Sequence, residues 1–364
     1  MISVFVPAHI TGFFSIFDNE NPLLKGSLGA GVLLDKGVIT EIASMDEFDL
    51  SHNESDSLDD DSALLNSDSD LFSQENKPLI LINGKKDEYN QVIVLKTIEI
   101  MENELSFSLD DLRDILISQE IQVPIGCGFG TSASSAIGTA ICLNEFLDLG
   151  LSIDECGKYA HLAELSLSTG LGDVIAALSR GIVLRTREGA PTVGQTRSLI
   201  PHESNVLGNI VLNDSCFYVL TKSLGEISTA SIIDDPKYKN LIHDVGLEIQ
   251  RDFDNKDDGV VIGSKFKNKF NVAFDSEFDE EETIRKFMNA SLKFAKKTHL
   301  ISDEILEIVY RLHGKVLGSS MAMLGNTFFA IANEEQKYKL EAEYYGEFDF
   351  YKLETHGIRI SKGD

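Results

Sequence analysis

Residues 123–146 have the residue types and spacing expected of an anion-binding site. Three glycines, Gly126, Gly128 and Gly130, precede a run of small and hydroxylated residues with helical character. Glycine permits the backbone angles of a concave loop, and small side chains let backbone N–H groups approach a ligand. Because a helix N-terminus adds unpaired N–H groups and a positive dipole end, we predict a phosphate site. The alternative is a glycine-rich turn that only packs a helix closely.

Two common phosphate-binding motifs are absent from the chain. No Gly-Lys pair is followed by Ser or Thr, which excludes a P-loop. The spacing of the three glycines also differs from the G-x-G-x-x-G of dinucleotide-binding folds. The remaining pattern, Pro124-x-x-x-Gly-Phe-Gly-Thr-Ser-Ala133, resembles the central ATP-binding motif of the GHMP kinases. These are the small-molecule kinases of galactose, homoserine, mevalonate and phosphomevalonate.

Other segments extend this resemblance and follow the order of the archaeal pantoate kinase branch of the GHMP kinases. They are residues 6–17, 26–31, 160–164, 169–174 and 189–191, with weaker similarity at 224–229 and 323–330. The resemblance implies an ATP-dependent kinase that phosphorylates pantoate to 4-phosphopantoate in coenzyme A biosynthesis. It also implies a cytoplasmic enzyme with pantoate, ATP and Mg²⁺ as ligands, and it leaves a homodimer open.

The resemblance assigns roles to individual residues. Those expected to bind ATP are Pro124, Gly126, Gly128, Phe129, Gly130, Thr131, Ser132, Ala133 and Ser134. Ser132 and Glu164 are the expected Mg²⁺ ligands, and Mg²⁺ prefers such oxygen groups. Asp173 is the expected catalytic residue, which would orient the attacking hydroxyl and accept its proton. The expected pantoate contacts are Ser27, His161, Arg185 and Thr229.

Structural roles compete with several of these assignments. Ser132 could instead cap the helix, and Asp173 could close a turn between two apolar segments. His161 could be a core histidine that a neighbour satisfies, and Arg185 could be a surface residue of a strand. Glu164 lies among apolar residues, so its carboxylate needs a partner. Of the substrate residues, Arg185 is chemically the best suited, because a guanidinium binds carboxylates in a bidentate manner.

Composition and charge disfavour several classes of partner. The chain has 364 residues, of which 43% are hydrophobic, enough for a packed core. No apolar run approaches a membrane span, and the four cysteines lack a CxxC pair, which favours reduced thiols in the cytoplasm. The net charge of −27, from 32 basic and 59 acidic residues, disfavours nucleic acid and anionic membranes as partners.

The order of the sequence patterns predicts an α+β protein with two lobes. By resemblance, residues 1–200 form an N-terminal GHMP kinase domain with a ribosomal protein S5 domain 2-like fold. Residues 201–364 form a C-terminal lobe of ferredoxin-like α/β type. Within the first domain, residues 45–77 contain 11 acidic residues and one basic residue. We expect this insertion to be a disordered surface loop, because its composition cannot offset the entropy of ordering.

Local patterns predict individual elements. We expect strands at 78–82, 91–95 and 182–186, and a hairpin within residues 32–40 that turns at Asp35-Lys-Gly37. Helices are expected at 109–119, 132–148, 153–167, 236–252, 282–297 and 302–313. Ser152 and Glu155 have the spacing of a capping box at the start of the helix that carries Glu164.

Two other functions remain open on this information. The chain could be a GHMP kinase for another small hydroxy acid, homoserine or mevalonate. It could also be a catalytically silent ligand sensor on the same scaffold. The presence of Ser132, Glu164 and Asp173 together argues against the sensor, because a binding module has no use for a catalytic carboxylate.

Overall fold

The computed structural model describes residues 1–45, 78–200, 217–225, 236–254 and 279–363. The predicted acidic insertion therefore lies outside the described residues apart from Met45, and Thr229 lies outside them as well. The described residues form eleven strands and eight α-helices in two lobes, which confirms the predicted two-lobed α+β class.

The strands are β1 (Ile2–Phe17), β2 (Gly26–Ser44), β3 (Leu79–Ile82), β4 (Ile115–Ile121), β5 (Ile182–Arg187), β6 (Gln195–Ser198), β7 (Phe217–Ser223), β8 (Gly318–Met321), β9 (Thr327–Asn333), β10 (Asp349–Lys352) and β11 (Arg359–Lys362). The helices are α1 (Val92–Glu104), α2 (Thr131–Phe146), α3 (Ile153–Leu167), α4 (Asp173–Ala177), α5 (Pro236–Asp254), α6 (Glu280–Lys297), α7 (Asp303–Arg311) and α8 (Glu334–Glu343). None of the helices in these described ranges is long and apolar enough to span a membrane.

The first lobe is built on the long antiparallel pair of β1 and β2. Strand β1 is rich in β-branched and aromatic residues and the second half of β2 in β-branched residues, which pack well on a pleated surface. The sheet order is β11-β1-β2-β4-β3. The first half of β2 also pairs with β5, and β5 in turn pairs with β6. Helices α1, α2 and α3 pack against one another, and α2 packs on β1 and β2. This arrangement places the N-terminus of α2 beside the middle of β1.

The second lobe is a four-stranded antiparallel sheet in the order β10-β7-β9-β8 with helices packed around it. Its core is continuous with that of the first lobe, because Phe14 of β1 lies 5.6 Å from Phe294 of α6 between ring centroids. Strand β11 returns to the first lobe and pairs with β1. The two lobes therefore share a core, and the C-terminal strand completes the sheet of the first lobe.

The hairpin predicted around Asp35 is wrong, since β2 runs through this point as one strand. Gly37 pairs with Pro7 of β1, and the register of the two strands shifts between Pro7 and His9. The turn-like residues thus mark a bulge within a long strand. Glycine is required at position 37, because a Cβ would lie 2.0 Å from the carbonyl oxygen of Val6.

Two further local predictions are wrong. The strand predicted at 91–95 is the start of α1, which buries Ile93, Ile98 and Met101. The helix predicted at 109–119 is one 3₁₀ turn at Leu109–Leu112, followed by β4. Short apolar runs do not distinguish a buried helix from a strand. The helices predicted at 132–148, 153–167, 236–252, 282–297 and 302–313, and the strands at 78–82 and 182–186, are confirmed to within a few residues.

Candidate active site

The glycine-rich segment forms a loop that leads from β4 into α2. Gly126, Gly128 and Gly130 have φ angles of 72°, 86° and 62°, in the left-handed region that favours glycine. Gly130 is the N-cap residue of α2, and no side chain caps this end. The first N–H groups of a helix have no partner within it, so they point out of the end of α2. With the helix dipole they form a site suited to an anion.

The hydroxylated residues after Gly130 have different surroundings. Thr131 and Ser132 line the cavity beside the loop. Ser134 is fully buried, and its hydroxyl donates to the carbonyl oxygen of Pro7 at 2.8 Å. Its side chain therefore fastens α2 to β1, and Ser132 is the residue placed to meet a ligand.

Three of the predicted ATP-binding residues support the loop from behind. Pro124 and Ala133 do not lie in the cavity wall, and Ala133 is fully buried. The ring of Phe129 belongs to the core, and its carbonyl oxygen accepts a hydrogen bond from His9 N at 3.0 Å. Pro124 and Ala133 therefore support the loop, and Phe129 anchors it to the core while also lining the cavity.

Asp173 lies against the loop at the start of α4. A Cβ on Gly130 would lie 3.5 Å from Asp173 Cβ, so the loop and the acid are in close contact. Asp173 Oδ1 accepts hydrogen bonds from His9 Nδ1 at 2.7 Å and from Thr11 Oγ1 at 3.2 Å. Both donors belong to β1, which therefore orients the carboxylate.

His9 and Asp173 differ in how burial affects their protonation states. Burial lowers the pKa of His9 by more than the hydrogen bond to Asp173 raises it, so the ring is neutral and donates Nδ1–H. Burial also opposes ionisation of Asp173, but the hydrogen bond from His9 and the charge of Arg185 outweigh it and hold the pKa of Asp173 below its usual range. The carboxylate is therefore an anion at neutral pH that can accept a hydrogen bond from a hydroxyl group.

Glu164 of α3 is buried beside the same loop. Its carboxyl accepts hydrogen bonds from Thr169 Oγ1 at 2.6 Å and from the hydroxyl of Ser132. Burial raises the pKa of Glu164 to about 7, against the opposing effect of these two hydrogen bonds. A Cβ on Gly170 would lie 2.0 Å from Glu164 Oε2 and 3.4 Å from Asp173 Oδ2. The two carboxylates therefore converge on Gly170.

The carboxylate of Glu164 and the hydroxyl of Ser132 are groups that a hard cation can take as ligands. Among the described residues there is no group of three or more His, Cys, Asp or Glu side chains that could hold a metal. Mg²⁺ does not require one, because it keeps waters and takes substrate phosphates beside one or two carboxylates. A cation next to Glu164 would also lower its raised pKa by favouring the charged form. Ser132 and Glu164, which are hydrogen-bonded to each other, offer the kinds of oxygen atom that such an ion takes, and their role as its ligands stays a prediction.

Arg185 of β5 is the largest fully buried side chain in the described residues. Its Nη1 donates to the carbonyl oxygen of Gly172 at 3.4 Å, and its buried Nε has no partner. Burial lowers the pKa of Arg185 to about 10, so the group remains charged. A Cβ on Gly172 would meet both Ser27 Oγ, at 2.2 Å, and Arg185 Nε, at 2.9 Å. Arg185 and Ser27 thus form a cationic corner suited to a carboxylate.

His161 has a different position from the other predicted substrate residues. Its Nε2 hydrogen-bonds to the carbonyl oxygen of Pro22 at 3.1 Å, in the turn between β1 and β2. The ring is buried, which lowers its pKa, and it is not part of the cavity wall. The structure therefore brings together Ser27, Ser132, Glu164, Asp173 and Arg185, and it leaves His161 one layer behind them.

One cavity of about 720 Å³ is lined by Ser27, Ser132, Asp173 and Arg185. Glu164 does not line it, but its carboxyl is hydrogen-bonded to Ser132 and Thr169 of the cavity wall. The glycine loop and Ser132 form one wall, and Asp173 and Arg185 form another. Met323 and Leu324, from the turn between β8 and β9, close it from the second lobe. A cavity of this size accommodates ligands as large as a nucleotide.

Sequence reasoning missed four residues of the site. His9 and Thr11 hold Asp173, and their alternation along β1 places them on one face of the strand. That alternation, in a segment already noted at 6–17, was the signal that could have revealed them. Tyr89 and Asn90 also line the cavity. They lie in the loop before α1, outside the strand predicted at 91–95.

A solved structure described as "Phosphotransferase related to CoA biosynthesis pathway" is similar over almost the whole chain. The identity is 26%, the TM-score is 0.69, and the match covers 99% of this chain and 98% of that one. Both lobes therefore have the arrangement seen in that phosphotransferase.

The family described as GHMP kinases N terminal domain matches residues 92–181, which contain the glycine loop, Ser132, Glu164 and Asp173. Fold and site thus define a GHMP kinase, an ATP-dependent kinase of small molecules. A pantoate kinase of Methanocaldococcus jannaschii is 30% identical over 91% of this chain and 93% of its own, and one of Thermococcus kodakarensis is 30% identical over 93% and 90%. The chain belongs to the pantoate kinase family.

We expect Glu164→Gln to remove part of the pH dependence of stability. Since the pKa of Glu164 rises from 4.5 to about 7 on folding, its stabilising contribution is complete below pH 4.5 and is lost as the pH rises through 7. In metal-free buffer, raising the pH from 5 to 8.5 should destabilise the wild type relative to Glu164→Gln by about 2–3 kcal/mol.

Thermal unfolding at a series of pH values measures this difference. Glu88→Gln, at an exposed position, is the matched control and should follow the wild type at every pH. Parallel curves for the wild type and Glu164→Gln would contradict the assignment of a raised pKa to Glu164.

Proposed function

We propose that this protein transfers the γ-phosphoryl group of ATP to the 4-hydroxyl of pantoate, giving 4-phosphopantoate and ADP. The observation that carries the proposal is the buried guanidinium of Arg185, which lines the same cavity as Asp173. A buried cation of this kind suits a carboxylate, and an anionic aspartate suits a hydroxyl. Pantoate carries these two groups at opposite ends of a short chain.

The nucleotide phosphates would bind to the backbone N–H groups of the glycine loop and of the first turn of α2. Ser132 and Glu164 would hold Mg²⁺, which when bound neutralises part of the phosphate charge. No Lys side chain lines the cavity among the described residues, so the backbone, the helix end and the metal would supply the positive field for ATP.

Asp173 would accept a hydrogen bond from the 4-hydroxyl of pantoate and orient its oxygen toward the γ-phosphorus. Because phosphoryl transfer depends mainly on positioning and charge neutralisation, a carboxylate with a lowered pKa is adequate. It receives the proton late, as the bond between oxygen and phosphorus forms. Neutral His9 and the hydroxyl of Thr11 would hold Asp173 Oδ1, which leaves Oδ2 for the substrate.

Arg185 and Ser27 would bind the carboxylate of pantoate at the other end of the site. His161 would act indirectly, by fixing the turn between β1 and β2 from which Ser27 follows. Thr229 stays a predicted contact outside the described residues, a homodimer stays a prediction, and we propose the cytoplasm as the location.

The first test is a panel assay of ATP consumption with pantoate, homoserine and mevalonate. We expect turnover with pantoate and at least about 100-fold lower kcat/KM with the other two, because binding groups left unpaired reject such analogues strongly. A preference for homoserine or mevalonate would overturn the assignment of pantoate as the substrate, but the assignment of kinase activity would stand. No turnover with any of them would favour a ligand sensor.

Asp173→Asn should lower kcat by at least about 100-fold, since the amide cannot accept the proton. The Kd for ATP should change by less than about threefold, because Asp173 would contact the acceptor and not the nucleotide. Steady-state kinetics and calorimetric titration with ATP measure the two quantities. Asp148→Asn, at an exposed position where Asn is well tolerated, is the control. Turnover near the wild-type value in Asp173→Asn would remove the catalytic assignment.

Arg185→Ala should raise KM for pantoate by tens-fold or more, because loss of a buried charge partner costs about 2–5 kcal/mol. KM for ATP should move much less. Arg187→Ala, which removes an exposed Arg from the same strand, is the matched control and should leave both values unchanged. An equal rise of both KM values in Arg185→Ala would indicate general disruption of the cavity instead of a carboxylate contact.

A further inference from the structure

Leu324 has an unusual backbone conformation for an apolar residue. Its φ angle is 62°, in the left-handed region. The other non-glycine residues with positive φ in the described part of the chain are Asn83, Asp148, Ser168 and His299. All four are polar, and Asn, Asp and His are the types enriched in this region. A leucine is energetically disfavoured in this region, because its Cβ lies too close to the backbone.

The turn that holds Leu324 normally calls for glycine or asparagine. Gly325 N donates to the carbonyl oxygen of Ala322 at 3.2 Å, which makes Leu324 the third residue of a β-turn between β8 and β9. A positive φ at this position is usually met by glycine. The chain has its glycine one residue later, where a Cβ would lie 2.1 Å from the carbonyl oxygen of Cys127. The sequence therefore has a leucine at a position where a glycine would be less strained.

The turn lies between the two halves of the reaction site. On one side Met323 N donates to the carbonyl oxygen of Thr11 at 2.9 Å, and the Thr11 hydroxyl binds Asp173. On the other side, a Cβ on Gly128 of the glycine loop would lie 3.1 Å from the Cα of Gly325. Leu324 is half-buried and lines the cavity at this junction. Leu324 therefore lies between the strand that holds Asp173 and the glycine loop.

We infer that Leu324 determines specificity by providing an apolar wall for the quaternary carbon of the acceptor, the carbon that bears two methyl groups and the reacting hydroxymethyl group. This inference rests on the proposed function and deepens it. Held by Arg185 and Asp173 at its ends, pantoate presents its methyl groups between the two polar contacts. Met323, which is buried in the core, continues the apolar surface on the same turn.

The strain at Leu324 is explained by this role. Strained backbone conformations persist where the surrounding structure enforces them, and they concentrate at ligand sites. Replacement of Leu324 by glycine or asparagine would suit the turn better and remove the wall. Stability and specificity should therefore respond differently to the same substitution.

The test compares pantoate with 2,4-dihydroxybutyrate, which has the same carboxylate and hydroxyl groups but no methyl groups. The wild type should favour pantoate by at least about 20-fold in kcat/KM, since apolar pockets discriminate single methylene groups by about 10- to 200-fold. In Leu324→Asn and Leu324→Gly this ratio should fall about tenfold, through loss of activity with pantoate. KM for ATP should change less than threefold.

Two controls separate a wall from a structural role. Leu324→Met keeps an apolar side chain and should keep the ratio within threefold of the wild type. His299→Asn, at an exposed position with φ of 57°, changes another residue in the left-handed region, one that does not line the cavity. It should leave the ratio unchanged. The melting temperature of Leu324→Asn should stay within about 3 °C of the wild type, because relief of strain offsets the lost apolar contact.

The inference is overturned if Leu324→Asn and Leu324→Gly keep the wild-type ratio, or if activity with both acids falls equally. It is also overturned if Leu324→Met loses as much selectivity as Leu324→Asn. A wild type that phosphorylates neither acid would overturn the proposed function itself, and this outcome is distinct from an active wild type whose selectivity is independent of Leu324.

Discussion

Residues 7–11 of β1 connect the glycine loop, α2, Asp173 and the second lobe through hydrogen bonds. This stretch bonds to Ser134 of α2, Phe129 of the glycine loop, Asp173 of α4 and Met323 of the second lobe. Each bond contributes only about 1 kcal/mol to stability, but they share one strand. Any shift of this strand would therefore move the glycine loop, the carboxylate of Asp173 and the second lobe together. Since phosphoryl transfer depends on positioning, the rigidity of this stretch matters more than the strength of any single contact.

The second constraint is electrostatic. In the proposed function, a chain with a net charge of −27 binds two anionic substrates in one cavity. Arg185 is the one Lys or Arg side chain among the described residues that line this cavity. The backbone N–H groups of the loop can bind an anion without any charged side chain, and they do not titrate. Arg185 is buried and fixed, so salt screens it much less than it screens a surface lysine. Binding by such groups is compatible with a strongly acidic surface.

The parts of the fold that depend on local chemistry could be predicted from the sequence, and those that depend on distant pairing could not. The glycine loop and the capping box at Ser152 follow from residue type and spacing, because φ angles and helix ends are local properties. The burial of Arg185 depends on β5 pairing with the first half of β2, about 150 positions away, so sequence reasoning left a surface role open. The bonds from His9 and Thr11 to Asp173 were hidden for the same reason.

Strand β11 can join the sheet of the first lobe only near the end of synthesis. It pairs with the first residues of β1, for example Lys362 with Ile2, and so joins segments from almost opposite ends of the sequence. Such pairings are formed late, because a long loop must close before the contact is made. During translation, the sheet that carries the site would lack its edge strand until residues 359–362 leave the ribosome. The residues of the second lobe, which lie between these partners in the sequence, are therefore synthesised before the sheet of the first lobe can be completed.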